Sequence, residues 1–358
     1  MPALQSHLKR IVEEHRTLTR DEARQTLNAI LTGEPDAGTD LEIGALLTAI
    51  ATRGETVDEL TGFAQAMRAL SLPIPLTADE RAALVDTCGT GGDGLGTFNI
   101  STGAALVATA AGAKVAKHGN RGITSKCGSA DVLEAMGIPV ALTPQQSADC
   151  LRATGFTFLY APALHPAMKR VQPIRRALGF RTIFNLAGPL TNPAEAPAQI
   201  MGVYSPTKLD VAAGAMARLG IRFGRVVHAR NGIDEIALSP TDTIVVRSVS
   251  DHGPPHAMSA HVAPEDVSLA PADLAALQGG DTPQSNAAIL EAILNGEEKG
   301  PKRDVVLLNA AAALEAVGLA ADLREGVARA AEAIDSGAAR ATLRALRDFG
   351  RSVAAANP

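Results

Sequence analysis

Asp86-Thr87-Cys88-Gly89-Thr90-Gly91-Gly92-Asp93-Gly94-Leu95-Gly96-Thr97-Phe98-Asn99-Ile100-Ser101-Thr102 is the stretch of this 358-residue chain that says most about its fold. It follows an apolar run, Ala83 to Asp86, that reads as a strand. It leads into a helix expected from about Thr102 to Ala111. Five glycines within eight residues let backbone N–H groups come close to a ligand. A helix N-terminus adds unpaired donors and partial positive charge, so strand, glycine turn and helix together make an anion site. Asn99, Ser101 and Thr102 place short amide and hydroxyl groups at that end. The same residues would also suit a tight turn capped by Ser101 or Thr102. Gly89-x-Gly91-x-x-Gly94 fits a dinucleotide fingerprint only superficially. That fingerprint needs its third glycine in the first helical turn and an acidic residue about 20 positions later. Here the helix starts after Asn99 and the later positions are Ala and Lys, so hydride transfer is a poor reading.

Outward from this stretch, the first seventy-odd residues read as successive helices. Leu8, Ile11 and Val12 form an apolar stripe, Asp21 to Leu31 continues it, and Thr56-Val57-Asp58-Glu59 has capping-box spacing for a helix to about Leu70. Ser71-Leu72-Pro73-Ile74-Pro75 then acts as a linker. Beyond it, strands are expected at Lys114 to Lys117, Phe156 to Ala161, Ile200 to Tyr204, Arg225 to Ala229 and Thr243 to Val246. Helices are expected near Ser129, from Thr143-Pro144 to Gly155, from Pro206 to Leu219 and from Asp304 to Val317, with a helical last hundred residues. The alternation predicts an α/β fold with a central, mainly parallel sheet.

Composition narrows the function. Aromatics make up 3% with no Trp, and the formal net charge is −5. Neither favours stacking on bases or a basic nucleic-acid face. No apolar run approaches the ~18 residues of a membrane span, and Met1 to Arg10 lacks a signal-peptide core. Cys88, Cys127 and Cys150 have no metal-type spacing, and reduced thiols in a cytoplasmic enzyme are expected.

Three further segments carry chemistry. Lys114 to Lys126 holds three of the chain's eight lysines together with His118, Gly119, Asn120, Arg121 and Gly122, a basic loop suited to an anionic ligand. Asn231-Gly232-Ile233-Asp234-Glu235 follows a strand and offers two adjacent carboxylates to a hard cation. Ala161 to Lys169, Arg175-Arg176 and Gly179 to Asn192 include His165, and Tyr160 with four of the eight Phe (Phe156, Phe158, Phe180, Phe184) falls between 156 and 184. Most of these aromatics are read as core.

These segments together resemble the anthranilate phosphoribosyltransferase family. The motifs run in order: Gly89 to Asp93, Asn99 to Thr102, Lys117 to Arg121, Gly128-Ser129-Ala130-Asp131, Arg181 to Asn185, Gly188 to Pro193, Asp234-Glu235 and Leu307 to Ala311. The resemblance implies a nucleoside-phosphorylase-like arrangement, with a small helical domain (1–75, joined by helices from about 170–195) beside a large α/β domain (76–358). It implies phosphoribosyl transfer from 5-phosphoribosyl-1-diphosphate to the amine of anthranilate in tryptophan biosynthesis, in a homodimer with no nucleic acid or membrane partner. The donor would be held by Gly89, Gly92, Asp93, Thr97, Asn99, Ile100, Ser101, Thr102, Ser129 and Lys117 to Ser125 (Lys117, His118, Gly119, Asn120, Arg121, Gly122, Ile123, Thr124, Ser125). Anthranilate would meet Gly89, Asn120 and Arg175, with His118, His165, Gly188 and Pro189 nearby. Mg²⁺, two ions per monomer, would be bound by Ser101, Asp234 and Glu235. No acid/base residue is assigned. Gly122, Thr124 and Cys127 stand where the family commonly has serine. A pyrimidine-nucleoside phosphorylase of the same fold and a non-catalytic nucleic-acid-binding paralogue are the alternatives. The first would not need the acidic pair, and the second should have gained basic charge.

Overall fold

The computed structural model describes residues 2–34, 36–122, 126–239, 243–249 and 256–356. Four helices open the chain: α1 (Pro2–Glu13), α2 (Arg20–Thr32), α3 (Ala37–Arg53) and α4 (Val57–Ala69). The capping box at Thr56 is present as read from the sequence, with Glu59 returning to the Thr56 N–H. Val12 lies outside the expected stripe, 57% exposed.

After the short α5 (Ala78–Ala82), strand and helix alternate. The chain runs through β1 (Leu84–Asp86), α6 (Ile100–Ala110), β2 (Lys114–Gly119), α7 (Ser129–Ala135), α8 (Pro144–Thr154) and β3 (Phe156–Tyr160). Three short helices follow, α9 (Ala161–Leu164), α10 (Gln172–Leu178) and α11 (Ile183–Ala187). Next come β4 (Ala198–Gly202), α12 (Leu209–Arg218), β5 (Phe223–Ala229), β6 (Thr243–Val249) and β7 (His256–Val262). Four helices close the chain: α13 (Pro283–Leu294), α14 (Pro301–Ala316), α15 (Leu323–Asp335) and α16 (Ala338–Ala356). None of the described helices is long and apolar enough to cross a membrane.

The sheet order is β3-β2-β1-β4-β5-β6-β7. The first five strands are parallel, while β6 and β7 pair antiparallel. Because side chains alternate along a strand, adjacent residues enter different cores. Val227 and Val245 pack with α6 and α14, whereas Val226 and Val246 pack with α12 and the N-terminal helices. That second core also takes in Val171, Ile174, Ile183 and Phe184. Strand order runs outward in both directions from β1 and β4, and the crevice at such a reversal, at the strand C-termini, is where open α/β sheets bind ligands.

Several boundaries differ from the sequence reading. Helix α6 begins two residues early, at Ile100, so Ser101 and Thr102 lie in its first turn rather than capping it. Strand β4 ends at Gly202, since Val203 turns into the second core and Tyr204 lies beneath the Arg181 guanidinium. The helix expected from Pro206 opens as a 3₁₀ turn and becomes α-helical only at Leu209.

Glu59 pins the helical region together. Its side chain is fully buried, yet it accepts from the Leu18 N–H at 3.0 Å, the Thr56 N–H at 3.0 Å and the Arg53 guanidinium at 2.5 Å. Removing one partner of a buried ion pair costs about 3–5 kcal/mol, because the other is left unpaired. Glu59→Ala is therefore expected to lower unfolding free energy by that order in a denaturant titration. Glu59→Gln, which keeps an acceptor for the N–H groups, should lie in between.

Candidate active site

The glycine stretch, Lys117 and the acidic pair lie at the C-terminal ends of β1, β2 and β5, beside that of β4. The four glycines Gly91, Gly92, Gly94 and Gly96 have φ between 59° and 79°, left-handed values that side chains resist. The loop is tied down at both ends. The Thr90 N–H donates to Gly202 O at 2.8 Å, and the Gly279 N–H donates to Gly96 O at 2.9 Å. Thr97 bridges to Gln278, and Arg181 donates to Gly92 O.

Two buried side chains organise this end of the sheet. Asp86, 1% exposed, accepts through Oδ1 from the N–H groups of Cys88 (3.0 Å) and His118 (3.1 Å), and through Oδ2 from Asn192 Nδ2 (2.8 Å). Burial pushes its carboxyl up to about 6, against these donors and the nearby Lys117 charge. Lys117, 2% exposed, donates from Nζ to Thr87 O (3.0 Å), Thr87 Oγ1 (3.1 Å) and Ser101 Oγ (3.2 Å).

The acidic pair arrives from the loop after β5. Glu235 Oε1 accepts from the Ser101 N–H at 3.1 Å, in the first turn of α6. Asn99, the N-cap, makes no side-chain capping bond, so the carboxylate takes a role that sequence reading gave to Ser101 or Thr102. Asp93 is the charged neighbour of Asp234. Lost hydration, then the neighbouring carboxylate, raises both Asp234 and Glu235 above the usual carboxylate range. This approach requires Gly202, since a Cβ there would sit 1.5 Å from Asp234 O.

The other expected residues take varied places. Ile100 and Thr102 are each 1% exposed and face the core. Asn99 Nδ2 donates to Cys127 O at 3.1 Å, while Asn99 Oδ1 and Thr102 Oγ1 are buried without a protein partner among the described residues. Asn120 O accepts from the Ala130 N–H and from Ser129 Oγ. Arg121 pairs with Asp131 and Glu134. Ile123, Thr124 and Ser125 lie outside the described residues.

His118 and His165 meet through their Nε2 atoms at 3.2 Å, one donating and one accepting. Burial lowers both, His118 strongly and His165 to about 4, so the pair is neutral at pH 7. Arg175 stands on α10 with its guanidinium 5.2 Å from the Phe184 ring centroid and no ion pair among the described residues, whereas Arg176 is exposed. Phe156, Phe158 and Phe184 are core, as read, but Phe180 is 46% exposed. The three cysteines stand as thiols outside any disulfide, and burial pushes each of them up, Cys127 to about 11 and Cys150 to about 12.

Sequence reading gave no role to Asp86, Asn192, Gln199 or Gly202. Gln199 Nε2 donates to Pro189 O at 2.7 Å and Cys88 O at 3.3 Å, joining two motifs through one amide. A lone Gln inside a strand carries no local signal of that kind.

The comparisons with known proteins agree with this geometry. The glycosyl transferase family's helical bundle domain matches residues 5–71, and its a/b domain matches residues 81–340. Anthranilate phosphoribosyltransferase of Solibacter usitatus is 50% identical over 98% of this chain and 99% of its own length. The crystal structure of the Thermus thermophilus enzyme is 42% identical, with a TM-score of 0.88 over 98% of this chain and 100% of that one. The Saccharomyces cerevisiae enzyme in complex with PRPP and Mg is 27% identical, with a TM-score of 0.87 and 98% of each chain covered. With both parts of the fold matched in order and half of its residues shared with a full-length relative, the chain belongs to the anthranilate phosphoribosyltransferase family.

Proposed function

We propose that the chain transfers the phosphoribosyl group of 5-phosphoribosyl-1-diphosphate to the amine of anthranilate, releasing diphosphate, in tryptophan biosynthesis. The observation that carries this is the meeting of Glu235 with the Ser101 N–H, 134 positions away in the chain, beside the Lys117 ammonium. A glycine loop, a helix head, a buried cation and an acidic pair at one spot suit a ligand that brings both phosphates and a divalent cation. A nucleoside phosphorylase has no use for the acidic pair, and a nucleic-acid module would want a basic face.

The residues present fit Mg²⁺. Asp93, Asp234 and Glu235 are crowded, hard oxygen donors, and their mutual repulsion would be relieved by a cation. Asp234, Glu235 and Ser101 would hold it. When bound, Mg²⁺ neutralises the diphosphate leaving group. The chain's own residues do the rest. Loop N–H groups from Gly89 to Asp93 and the Lys117 cation orient the donor, and Asn120 and Arg175 orient anthranilate. Arylamine nitrogen is already neutral at pH 7, so attack on the C1′ centre needs no strong base. The neutral His118–His165 pair suits that requirement.

That helices from 170–195 join the helical domain (1–75) is supported by the core that Ile174 and Phe184 share with Leu27 and Phe63, which α12, Val226 and Val246 also enter. A homodimer through the helical domain would cover Leu41, 77% exposed. Cysteines outside any disulfide suit a cytoplasmic enzyme.

Purified protein is expected to consume anthranilate, followed by its fluorescence, only with both donor and Mg²⁺. No turnover with all three would overturn the reading. Asp234→Ala with Glu235→Ala should cut turnover roughly a hundredfold or more, with a loss of stability of about 0.5–2 kcal/mol from the missing cap on α6. Wild-type rates across a Mg²⁺ titration would remove the pair from the chemistry. A guanidinium can meet a carboxylate through two parallel hydrogen bonds, so Arg175→Ala should raise the KM for anthranilate by roughly 10- to 150-fold. Arg176→Ala, on the exposed side, should leave it unchanged. The reverse pattern would show that Arg176 reads the carboxylate.

A further inference from the structure

Gly122 and Gly128, in the basic segment after β2, lie side by side. Asp131 Oδ2 accepts from the N–H groups of both Gly122 and Gly128, each at 2.9 Å, so one carboxylate oxygen ties the two ends of segment 122–128. The approach depends on Gly128, since a Cβ there would lie 2.1 Å from the Gly122 nitrogen. Asp131 Oδ1 takes Arg121 Nη1 at 3.1 Å, and Glu134 takes both terminal nitrogens of the same guanidinium at 2.7 Å. The Tyr160 ring closes the other side, 5.7 Å from Arg121 Cζ. The Ala130 N–H and Ser129 Oγ both donate to Asn120 O, fixing the residue just before.

Arg121 is thus engaged by two carboxylates and one ring, and its charge is more than offset locally. We propose that Asp131 is a positioning residue that clasps the ends of segment 122–128, and that Arg121 works in this clasp rather than as a ligand of the donor's phosphates. The inference rests on the reading above that this segment holds the donor. The clasp sets the spacing of Gly122 and Gly128, and Glu134 sets the plane of the guanidinium that completes it. A direct phosphate ligand would be better without Glu134, because releasing the guanidinium frees its charge. A clasp would be worse without it. The two roles therefore predict opposite signs.

The test uses the full chain with Mg²⁺, donor and anthranilate. Asp131→Asn should raise the donor KM roughly tenfold, about what losing one carboxylate–amide contact implies, with little change in the KM for anthranilate. Glu134→Gln should raise it less, in the same direction. Arg121→Lys should be nearly as poor as Arg121→Ala, since an ammonium cannot form the bidentate fork. Trypsin provides a readout without turnover. Lys126, with a side chain 69% exposed, lies inside the clasped segment, and cleavage after it should quicken several-fold in Asp131→Asn and Glu134→Gln. A lower donor KM in Glu134→Gln, or full rescue by Arg121→Lys, would return Arg121 to the phosphates. Wild-type donor KM and cleavage rate in Asp131→Asn would abolish the clasp. Wild-type protein without turnover would instead fail the functional reading, and the cleavage rates would still decide the clasp.

Discussion

The buried carboxylate of Asp86 is the fixed point around which the site is assembled. An ion taken out of water is costly unless its lone pairs are filled, and here Cys88, His118 and Asn192 fill them from three separate segments. Cys88 begins the glycine loop, His118 stands in the basic segment, and Asn192 ends the turn that contains Gly188 and Pro189. Asn192 also donates to Ala116 O and accepts from the Ala194 N–H, and Gln199 ties Cys88 O to Pro189 O. Apolar contacts would let these loops slide past one another. A satisfied buried polar network admits one arrangement, because any slip orphans a group in a low-dielectric interior. Asp86 is almost wholly buried, and burial outweighs the donors in raising its carboxyl.

Charge around the head of α6 follows from that framework. Lys117 reaches Ser101 Oγ from one side, and Glu235 reaches the Ser101 N–H from the other. A helix N-terminus normally invites an anion, and here the chain supplies one of its own. The positive end of α6 is therefore partly compensated before any ligand arrives, and a bare phosphate would also face Asp93 and Asp234. An anion that brings its own cations meets no such barrier. On the proposed function, the acidic pair would in this way favour phosphate-bearing ligands that carry divalent cations.

Much of this is legible in the sequence because local chemistry announces itself. Thr56, Thr143 and the glycine run each carry their structure in the residues themselves, and the capping boxes and left-handed turns stand where the sequence puts them. What is not legible is long-range. The first turn of α6 is misplaced by sequence reading because its cap comes from Glu235 rather than from a neighbour. Strand β7, His256–Val262, lacks the branched apolar run that marks a strand, and forms through its pairing with β6. Gly202 looks like any strand-end glycine until the Asp234 backbone is seen against it. Arg121 reads as a loop cation, and only the fold brings Asp131 and Glu134 onto it.

The acceptor side is set by different packing from the donor side. Arg175 lies over Phe184, and Phe184, 3% exposed, meets Phe63 of α4 at 5.7 Å between ring centroids. The guanidinium that would read the anthranilate carboxylate is thus braced by the N-terminal helices. The glycine loop, Lys117 and the acidic pair are instead braced by the sheet and by α6. The two halves of the site share the Asp86–Asn192–Gln199 network at their boundary, and the sheet that separates the two cores also joins them. Rigid groups braced from the two faces of one sheet would let two substrates be gripped separately and still be presented to each other in one orientation. On the reading that Arg175 meets anthranilate, the helical region would therefore bear on acceptor positioning through the Phe63–Phe184–Arg175 stack.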